Sequence, residues 1–586
     1  MRLPILLAFC ALSALPQFIT PEQSIQIRQL SDLRFSPDGS RLAFTVTEPV
    51  TGRRAESHVW VFEPGSGRLT QWTHSAKSER MPRWSPDGRA LAFLSDREDS
   101  NQIWLTPTGG GEAVRLTTGK QAVQSFHWSR DGRSIAFLAS DQKSTEQEKR
   151  EKDLDDASVA DSHSQLSRVW ILDVAGKSAR QLTGGSWQVA DLDWFPDNSR
   201  LAVIATDRPA DDRRTEKLYS LSVADGKMEM ILEPSGPFRG IQVSPDGKQI
   251  AYVASPGDGP AAHDLFLLPL DARTPHNLSR MIDRPVQSFE WRGPLDLATL
   301  FSNGFRSSFR VLGERPSTLA ADPNLDIAAF AIDPQGRAAT VQESAVSPAE
   351  LHWNGHAVSH FNDTLRSFSL AQPEFYRYKS FDGTEIEAAL YRGAGAVPGR
   401  QQPLVLLIHG GPAGNWRNRF DGLTQLLTAR GYSVVQPNIR GSLAYGQKFL
   451  TSNRGDWGGA DYKDAMAGVD DLIKRGIADP DRLAIAGWSY GGYMAEWAIT
   501  QTDRFKAASS GAGMADLATE FGTESHSSGD EWYYGIPYEN LAGFQKSSPI
   551  VYIKNAKTPT LILQGEGQHH RSALPKPNAL PWTEAL

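Results

Sequence analysis

Apolar and polar positions alternate in short runs that recur along the first 360 residues of the chain. Each run follows one signal: an apolar or aromatic residue, then Ser-Pro-Asp-Gly or a close variant. The copies read RFSPDGSRLAF, RWSPDGRALAFLSD, HWSRDGRSIAFLAS, DWFPDNSRLAVIAT and QVSPDGKQIAYVAS, with weaker ones at FEWRGPLDLATLFS and AAFAIDPQGRAATVQE. Because Asp-Gly suits a tight turn with positive φ, and period-two runs are typical of paired strands, each copy predicts a β-hairpin.

The spacing of these seven copies predicts the architecture. Successive copies are mostly about 40 to 50 residues apart, which leaves room for four short strands in each unit. We therefore predict a seven-bladed β-propeller over residues 31–360, whereas the persistent period disfavours the competing two-sheet sandwich. The charged tract DQKSTEQEKREKDLDDASVADSHSQ predicts a solvated loop inserted between two blades.

The pattern changes near residue 373. A hairpin is predicted over 375–380 and 385–391, around Asp382-Gly383. Continuous apolar runs then alternate with helix-like segments; the strand-like runs are PLVLLI, SVVQPNIR, RLAIAGW, FKAASSGAG and TPTLILQGE. Such alternation predicts a mostly parallel sheet covered by helices on both faces, so that residues 373–586 form an α/β domain.

The first residues are typical of an export signal. Arg2 precedes an apolar stretch from Leu3 to Leu15, with small residues near a cleavage point, so residues 1–17 are predicted to be a signal peptide. A buried first helix is the alternative. The expected product is exported, periplasmic or secreted, and is not held in a membrane. Cys10 is the only cysteine, so the mature protein would have no disulfide and no thiolate metal site.

Charge excludes a further class of function. The 586 residues carry a formal net charge of −7 without a long Lys/Arg run, whereas nucleic-acid binders usually show a clustered basic surface. We therefore expect no nucleic-acid partner. The composition does not set an oligomeric state.

Ser489 is the candidate nucleophile. It is the centre of Gly487-Trp488-Ser489-Tyr490-Gly491, between an apolar strand and an amphipathic helix. This context is typical of a nucleophile elbow, in which a strained turn holds the serine hydroxyl above the sheet.

The segment His409-Gly410-Gly411-Pro412, directly after PLVLLI, is the candidate oxyanion loop. Glycines let backbone N–H groups approach a substrate carbonyl. We assign one donor to the N–H of Tyr490 and the other to Gly411 or its neighbour. His409 is interpreted as a structural residue rather than the catalytic base, because it precedes the nucleophile and stands at a strand end.

Four longer segments make the resemblance specific. HGGPAGNW, QPNIRGSLAYGQKF, NRGDWGGADYKDAMAGVDDLI and GWSYGGYMAEWAIT, in this order behind a propeller, resemble the prolyl oligopeptidase family of serine peptidases, in its acylaminoacyl-peptidase-like branch. The resemblance implies hydrolysis of short peptides through an acyl-enzyme on Ser489, a propeller that restricts access, and no metal or cofactor. It also implies a triad in the chain order Ser, Asp, His. An esterase with the same elbow remains an alternative.

The resemblance also bears on residues around the elbow. It implies that Glu531, Trp532 and Tyr533 line the substrate pocket, although simple packing is an equal alternative. We expect loop packing for Arg440, Gly441, Tyr445 and Gly446, and a bracing role for Asp456, Trp457 and Gly458.

The pattern breaks after TPTLILQGE. The loop that should carry the triad Asp reads Gly567-Gln568-His569-His570-Arg571, and the chain ends at Leu586 without the expected His loop. With permitted codon choices, the tail read one nucleotide later spells NTIAPLSQSQMLYHGLK, which is similar to the family at this place. Our hypothesis is therefore a frameshift near Gly567 that leaves the α/β domain truncated. A catalytically inactive remnant with a peptide-binding propeller is the corresponding alternative function.

Overall fold

The computed structural model describes residues 17–565, apart from 51–53, 99, 156–164, 212–213, 315, 319–323 and 524–527. The expected signal peptide and the unusual tail thus lie outside the described residues, except for Gln17. In the part of the chain that is described, no helix is long and apolar enough to cross a membrane.

Seven four-stranded antiparallel sheets follow a short helix, α1 (Pro21–Ser24), and form the propeller. Blades 1 to 4 consist of β1 (Gln29–Phe35), β2 (Leu42–Thr47), β3 (Ser57–Glu63) and β4 (Arg68–Gln71); β5 (Glu79–Trp84), β6 (Ala90–Ser95), β7 (Gln102–Pro107) and β8 (Val114–Arg115); β9 (Val123–Trp128), β10 (Ser134–Ser140), β11 (Ser167–Asp173) and β12 (Ser178–Gln181); and β13 (Gln188–Trp194), β14 (Arg200–Thr206), β15 (Lys217–Ser222) and β16 (Met228–Leu232). Blades 5 to 7 consist of β17 (Phe238–Val243), β18 (Gln249–Ala254), β19 (Asp264–Pro269) and β20 (His276–Asn277); β21 (Val286–Trp291), β22 (Asp296–Asn303), β23 (Arg306–Gly313) and β24 (Ser317–Thr318); and β25 (Asp326–Ile332), β26 (Ala338–Ser344), β27 (Ser347–Trp353) and β28 (His356–Ala357). The predicted seven-bladed propeller is confirmed.

The Ser-Pro-Asp-Gly signal forms the turn between the first two strands of a blade. In blade 1, Gly39 has φ +71°, and the Asp38 carboxylate accepts hydrogen bonds from the Ser36 hydroxyl (2.6 Å) and the Ser40 N–H (3.0 Å). These hydrogen bonds hold the pKa of Asp38 at about 2, below its ordinary value. The turn is therefore fixed by its own side chains, as the hairpin interpretation requires.

Tryptophans at the ends of the first strands join neighbouring blades. In each case the indole N–H donates to a backbone carbonyl of the preceding blade. The pairs are Trp84 with Arg34 (2.9 Å), Trp128 with Arg83 (3.2 Å), Trp194 with His127 (3.0 Å) and Trp291 with Gln242 (3.3 Å).

Two further blades have an aliphatic residue where these four have the tryptophan, and there a carboxylate makes the contact between blades. The N–H of Val243 donates to Asp193 (2.8 Å), and the N–H of Ile332 donates to Glu290 (3.0 Å). In both cases the hydrogen-bond acceptor belongs to the preceding blade, as it does in the tryptophan contacts.

The charged tract was predicted to be a loop between blades, and this prediction was wrong in two respects. The tract connects β10 with β11, so it lies inside blade 3 rather than between two blades. Its first part forms an exposed helix, α2 (Thr145–Lys152). The helix begins there because Ser144 and Gln147 form a capping box, which pairs N–H groups that the helix itself cannot satisfy.

The second domain contains a seven-stranded sheet in the order β29-β30-β32-β31-β33-β34-β35. Its strands are β29 (Pro373–Lys379), β30 (Glu385–Tyr391), β31 (Gln402–Ile408), β32 (Ser433–Asn438), β33 (Ala478–Trp488), β34 (Phe505–Gly511) and β35 (Thr560–Leu563). The first two form an antiparallel hairpin, and β32, β31, β33, β34 and β35 run parallel. The α/β prediction is confirmed, and so is the strand nature of all five apolar runs.

Helices accompany this sheet. They are α3 (Gly422–Ala429), α4 (Gln447–Leu450), α5 (Ala460–Lys474), α6 (Tyr490–Gln501), α7 (Leu517–Thr523), α8 (Ser528–Tyr534) and α9 (Pro537–Ser547), with 3-10 turns at Asp363–Ser367 and Pro549–Asn555. The largest core cluster of the domain joins residues of β31 and β33 to buried residues of α5 and α6. This core supports the elbow from below.

The two domains contact each other through polar pairs of different burial. Arg417 of the α/β domain binds Asp326 of blade 7 (2.7 Å), and the Asp326 side chain is completely buried. Arg454 of the α/β domain binds Asp258 of blade 5 (3.0 Å), but this pair is largely exposed. Of these two ion pairs, only the pair at blade 7 includes a charged side chain that is buried away from solvent.

Candidate active site

Ser489 stands between the end of β33 and the start of α6 in a strained conformation. Its φ of 57° and ψ of −122° belong to a region that non-glycine residues rarely adopt. The strain is held in place because the Ser489 N–H donates to the carbonyl of Gly511 on β34 (2.8 Å). The chain thus makes the sharp strand-to-helix turn that a nucleophile elbow requires.

Glycines around Ser489 let the backbones of β33, β34 and α6 approach one another closely. A side chain on Gly487 would collide with Gly491, and a side chain on Gly492 would collide with the Gly511 carbonyl. The first turn of α6 therefore packs directly on the strand ends, with no side chains between.

The predicted oxyanion loop lies against this turn. A Cβ atom on Gly410 would be 3.3 Å from the Trp488 carbonyl oxygen and 3.5 Å from the Ser489 Cβ. Gly411 follows with φ +135°, a conformation that favours glycine. Tyr490 is the first residue of α6, where N–H groups have no partner within the helix. The structure thus brings together the elbow and the loop that carry both candidate donors, Tyr490 and Gly411.

His409 is buried and already engaged. Its Nε2 lies 2.7 Å from the Ser442 hydroxyl and its Nδ1 lies 2.8 Å from the Gly410 carbonyl. Burial lowers the pKa of His409 to about 4. Among the described residues of the α/β domain it is the only histidine. A neutral ring that holds the oxyanion loop in place agrees with the structural interpretation.

The loop in which the triad acid was expected falls outside the described residues. β35 lies parallel to β34, and the Ala512 N–H donates to the Leu563 carbonyl (2.8 Å). The description ends two residues later, at Gly565. The segment with Gly567, His569 and His570, on which the frameshift hypothesis rests, follows this point.

Trp457 occupies the centre of an aromatic cluster beneath the elbow. Its ring lies 5.2 Å from that of Tyr490 and 4.9 Å from that of Tyr533, and its backbone N–H donates to the Tyr534 hydroxyl (2.9 Å). The neighbouring Asp456 accepts the N–H of Ala460 at the start of α5 (3.0 Å). Residues 456–458 thus brace α5 and the elbow.

Glu531, Trp532 and Tyr533 have different surroundings. Glu531 and Trp532 line a cavity of about 420 Å³ between the two domains, together with residues of blades 4 and 5. Tyr533 is buried against Trp457 instead. Glu531 and Trp532 therefore line the cavity, whereas Tyr533 has a packing role.

The loop after β32 is fixed by ion pairs and hydrogen bonds. Arg440 binds Asp464 (2.7 Å) and Asp382 (3.0 Å), and the hydroxyl of Tyr445 donates to Glu387 (2.7 Å). These contacts tie the loop to α5 and to the β29–β30 hairpin, and they fit the packing roles expected for it.

The fold and the elbow define the class of this protein: a seven-bladed β-propeller followed by an α/β-hydrolase domain. Residues 418–570 match the model of the prolyl oligopeptidase family, and residues 29–160 match that of the TolB β-propeller domain. The chain therefore contains a peptidase domain of the prolyl oligopeptidase family.

Individual relatives agree with this assignment. The chain is 29% identical to the uncharacterized peptidase YuxL of Bacillus subtilis, over 94% of this chain and 91% of that protein. It is 26% identical to dipeptidyl-peptidase 5 of Porphyromonas gingivalis, over 94% and 87%. The acylaminoacyl peptidase of Pyrococcus horikoshii shares the fold, with a TM-score of 0.81 and 22% identity over 96% of this chain and 90% of that one.

One buried group near the elbow has no counterpart in the sequence-based prediction. The Asp461 carboxylate is completely buried in the first turn of α5 and accepts a hydrogen bond from the Tyr490 hydroxyl. In the sequence GGADYKDAM, Asp461 is simply an acidic residue near the start of a helix, and such residues are common on protein surfaces. Only the packing of α5 against α6 distinguishes Asp461 from an ordinary exposed residue.

Proposed function

We propose that this protein is a serine-type peptidase that hydrolyses short peptides through an acyl-enzyme on Ser489. The observation that carries the proposal is the strained Ser489 turn at the start of α6, with the Gly410–Gly411 loop against it. Strain at one non-glycine residue persists only where the surrounding structure enforces it, and it is typical of functional sites.

This arrangement supplies the nucleophile and the two candidate oxyanion donors of the reaction. The Ser489 Oγ attacks the scissile carbonyl and gives its proton to a general base, so that the C–O bond forms as the carbonyl becomes an oxyanion. The N–H groups of Tyr490 and Gly411 stabilise that oxyanion. The amine then leaves with a proton, and water hydrolyses the acyl-enzyme. His409 is unsuited to be the base because its ring nitrogens are engaged and its pKa is low.

The substrate class rests on the domain arrangement and on the relatives. Acylaminoacyl and dipeptidyl peptidases among the related proteins act at peptide chains, as their names state. A propeller placed beside the α/β domain would restrict access to short, flexible peptides. This supports peptides rather than simple esters as substrates.

A fluorophosphonate probe tests the nucleophile directly. We expect labelling of the chain as it is, no labelling of Ser489→Ala, and unchanged labelling of Ser452→Ala, whose side chain is exposed. Failure to label a folded wild-type protein would contradict the proposal and favour the inactive remnant. Turnover of short acylated and free peptides, compared with that of a simple ester, then separates a peptidase from an esterase.

Export is a further part of the proposal. The apolar segment from Leu3 to Leu15 behind Arg2 supports a cleaved signal peptide. N-terminal sequencing of the protein recovered outside the cytoplasm should begin near residue 18. Recovery only inside the cytoplasm, with Met1 or residue 2 intact, would contradict export.

A further inference from the structure

The side chain of Tyr490 is held by a buried carboxylate on another helix. The Tyr490 hydroxyl donates to Asp461 Oδ2, and Asp461 Oδ1 accepts the N–H of Tyr462 (2.7 Å). Tyr490 and Asp461 are both completely buried. The carboxylate therefore has two donors and no contact with solvent, so it fixes α6 relative to α5 at one point.

That point lies directly beside the reacting atoms. Tyr490 follows Ser489, and its backbone N–H is the proposed oxyanion donor on the elbow. A tyrosine side chain anchored at its hydroxyl cannot rotate away, and the ring of Trp457 packs edge-on against it at 5.2 Å. The Tyr490 side chain is thereby held at its hydroxyl and at its ring, and this restrains the backbone of Tyr490 at the start of α6.

Burial of an ionisable group costs free energy unless the group has strong partners. Asp461 lies in the first turn of α5, where the helix dipole favours a carboxylate. Desolvation, together with the nearby carboxylates of Asp456 and Asp464, nevertheless raises its pKa to about 7, although the hydrogen bonds from Tyr490 and Tyr462 act to lower it. If position 461 served only to pack α5 against α6, burial of an uncharged side chain there would cost less free energy.

We propose that Asp461 is a positioning residue for the oxyanion hole, which it orients through the hydroxyl of Tyr490. This inference rests on the proposed function of Ser489. The hydrogen bond sets the direction of the Tyr490 N–H, which binds the oxyanion more strongly than the neutral substrate carbonyl. Loss of the hydrogen bond should therefore lower kcat and leave KM nearly unchanged.

Three variants test this role. Tyr490→Phe removes only the hydroxyl, and Asp461→Asn replaces one of the two acceptor oxygens. Tyr493→Phe is the matched control: Tyr493 lies one turn further along α6, is equally buried, and loses a hydrogen bond of 2.9 Å to the Ser547 carbonyl. All three should lose stability to a similar extent, so that stability alone cannot explain a difference in kcat.

We expect kcat for a short peptide, and the rate of fluorophosphonate labelling, to fall about tenfold in Tyr490→Phe and in Asp461→Asn. Complete loss of an oxyanion donor costs about 100- to 1000-fold, and here the donor is only displaced. The double variant should be no slower than either single variant, because both remove the same hydrogen bond. Equal kcat values in these variants and in Tyr493→Phe, or additive losses in the double variant, would overturn the proposal.

A second measurement does not depend on activity. Amide hydrogen exchange of the segment 489–493 should accelerate in Tyr490→Phe and Asp461→Asn more than in Tyr493→Phe. If the wild type is not labelled at Ser489, the proposed function fails, and the exchange result decides the positioning role by itself. Equal exchange in all three variants would contradict that role even in an active enzyme.

Discussion

Gly491 of α6 lies directly against the backbone of Ile408, the last residue of β31. A Cβ atom on Gly491 would collide with the Ile408 carbonyl and would be 3.2 Å from the carbonyl oxygen of His409. The helix that follows the nucleophile and the strand that precedes the oxyanion loop are therefore in backbone contact. This contact sets the distance between the two halves of the candidate site.

Gly491→Ala should destabilise the α/β domain by about 2 kcal/mol or more, because backbone atoms cannot yield as a flexible side chain can. Gly522→Ala is the control: Gly522 lies in α7, is exposed, and has open space around it. That variant should be neutral or stabilising by up to about 1 kcal/mol, since alanine is the better helix former. Urea unfolding followed by tryptophan fluorescence compares them, and equal stability of both variants would contradict the close contact.

Trp84 and Trp104 allow a matched comparison of the contacts between blades. Both are 7% exposed, but the Trp84 indole N–H donates to Arg34, whereas the buried Trp104 N–H has no hydrogen-bond partner among the described residues. Trp84→Phe should cost about 1 kcal/mol more than Trp104→Phe, because only the first leaves a partly buried carbonyl without this donor. Thermal unfolding of the two variants measures the difference, and a larger loss for Trp104→Phe would refute the role of the hydrogen bond.

The two ion pairs between the domains should differ in value. Arg417→Met leaves the completely buried Asp326 without its positively charged partner, which should cost about 3 to 5 kcal/mol. Arg454→Met removes an exposed pair with Asp258, which should cost no more than about 1 kcal/mol. Chemical denaturation gives the free energies of unfolding, and limited proteolysis reports separation of the domains. Similar losses in both variants would show that burial does not govern this interface.

His409 and Asp461 should make stability depend on pH in opposite directions. His409 has a pKa of about 4 in the folded protein, against an ordinary 6.5, so its contribution is present above pH 6.5 and is lost as pH falls towards 4. Asp461 has a pKa of about 7, against 3.8, so its contribution is present below pH 3.8 and is lost as pH rises towards 7.

Variants at these two positions separate the contributions. Between pH 4 and 6.5, Asp461→Asn should become more stable with rising pH, and His409→Gln less stable, than the wild type does. Each slope is at most about 1.4 kcal/mol per pH unit for one proton. Free energies of unfolding measured at several pH values provide the test; identical slopes in both variants and the wild type would contradict it.

Local sequence patterns were sufficient to predict much of the fold. The Ser-Pro-Asp-Gly signal specifies a turn whose hydrogen bonds are all within a few residues, as for Asp38, so the hairpins could be predicted. The strand–glycine–serine–glycine–helix order around Ser489 is equally local. The charged tract was misplaced because its position depends on which strands pair, and β10 pairs with β11 across the tract.

The chain order of apolar strands, turns and glycines by itself determined a propeller followed by an α/β domain with Ser489 on an elbow. Those features depend on periodicity and on backbone conformations that only certain residues adopt. The tertiary structure alone decided that Asp461 reaches Tyr490, that Tyr533 is packed while Trp532 lines a cavity, and that Asp193 and Glu290 replace tryptophan contacts between blades. Each of these joins residues far apart along the chain or on different elements, and such contacts form only when the elements pack together.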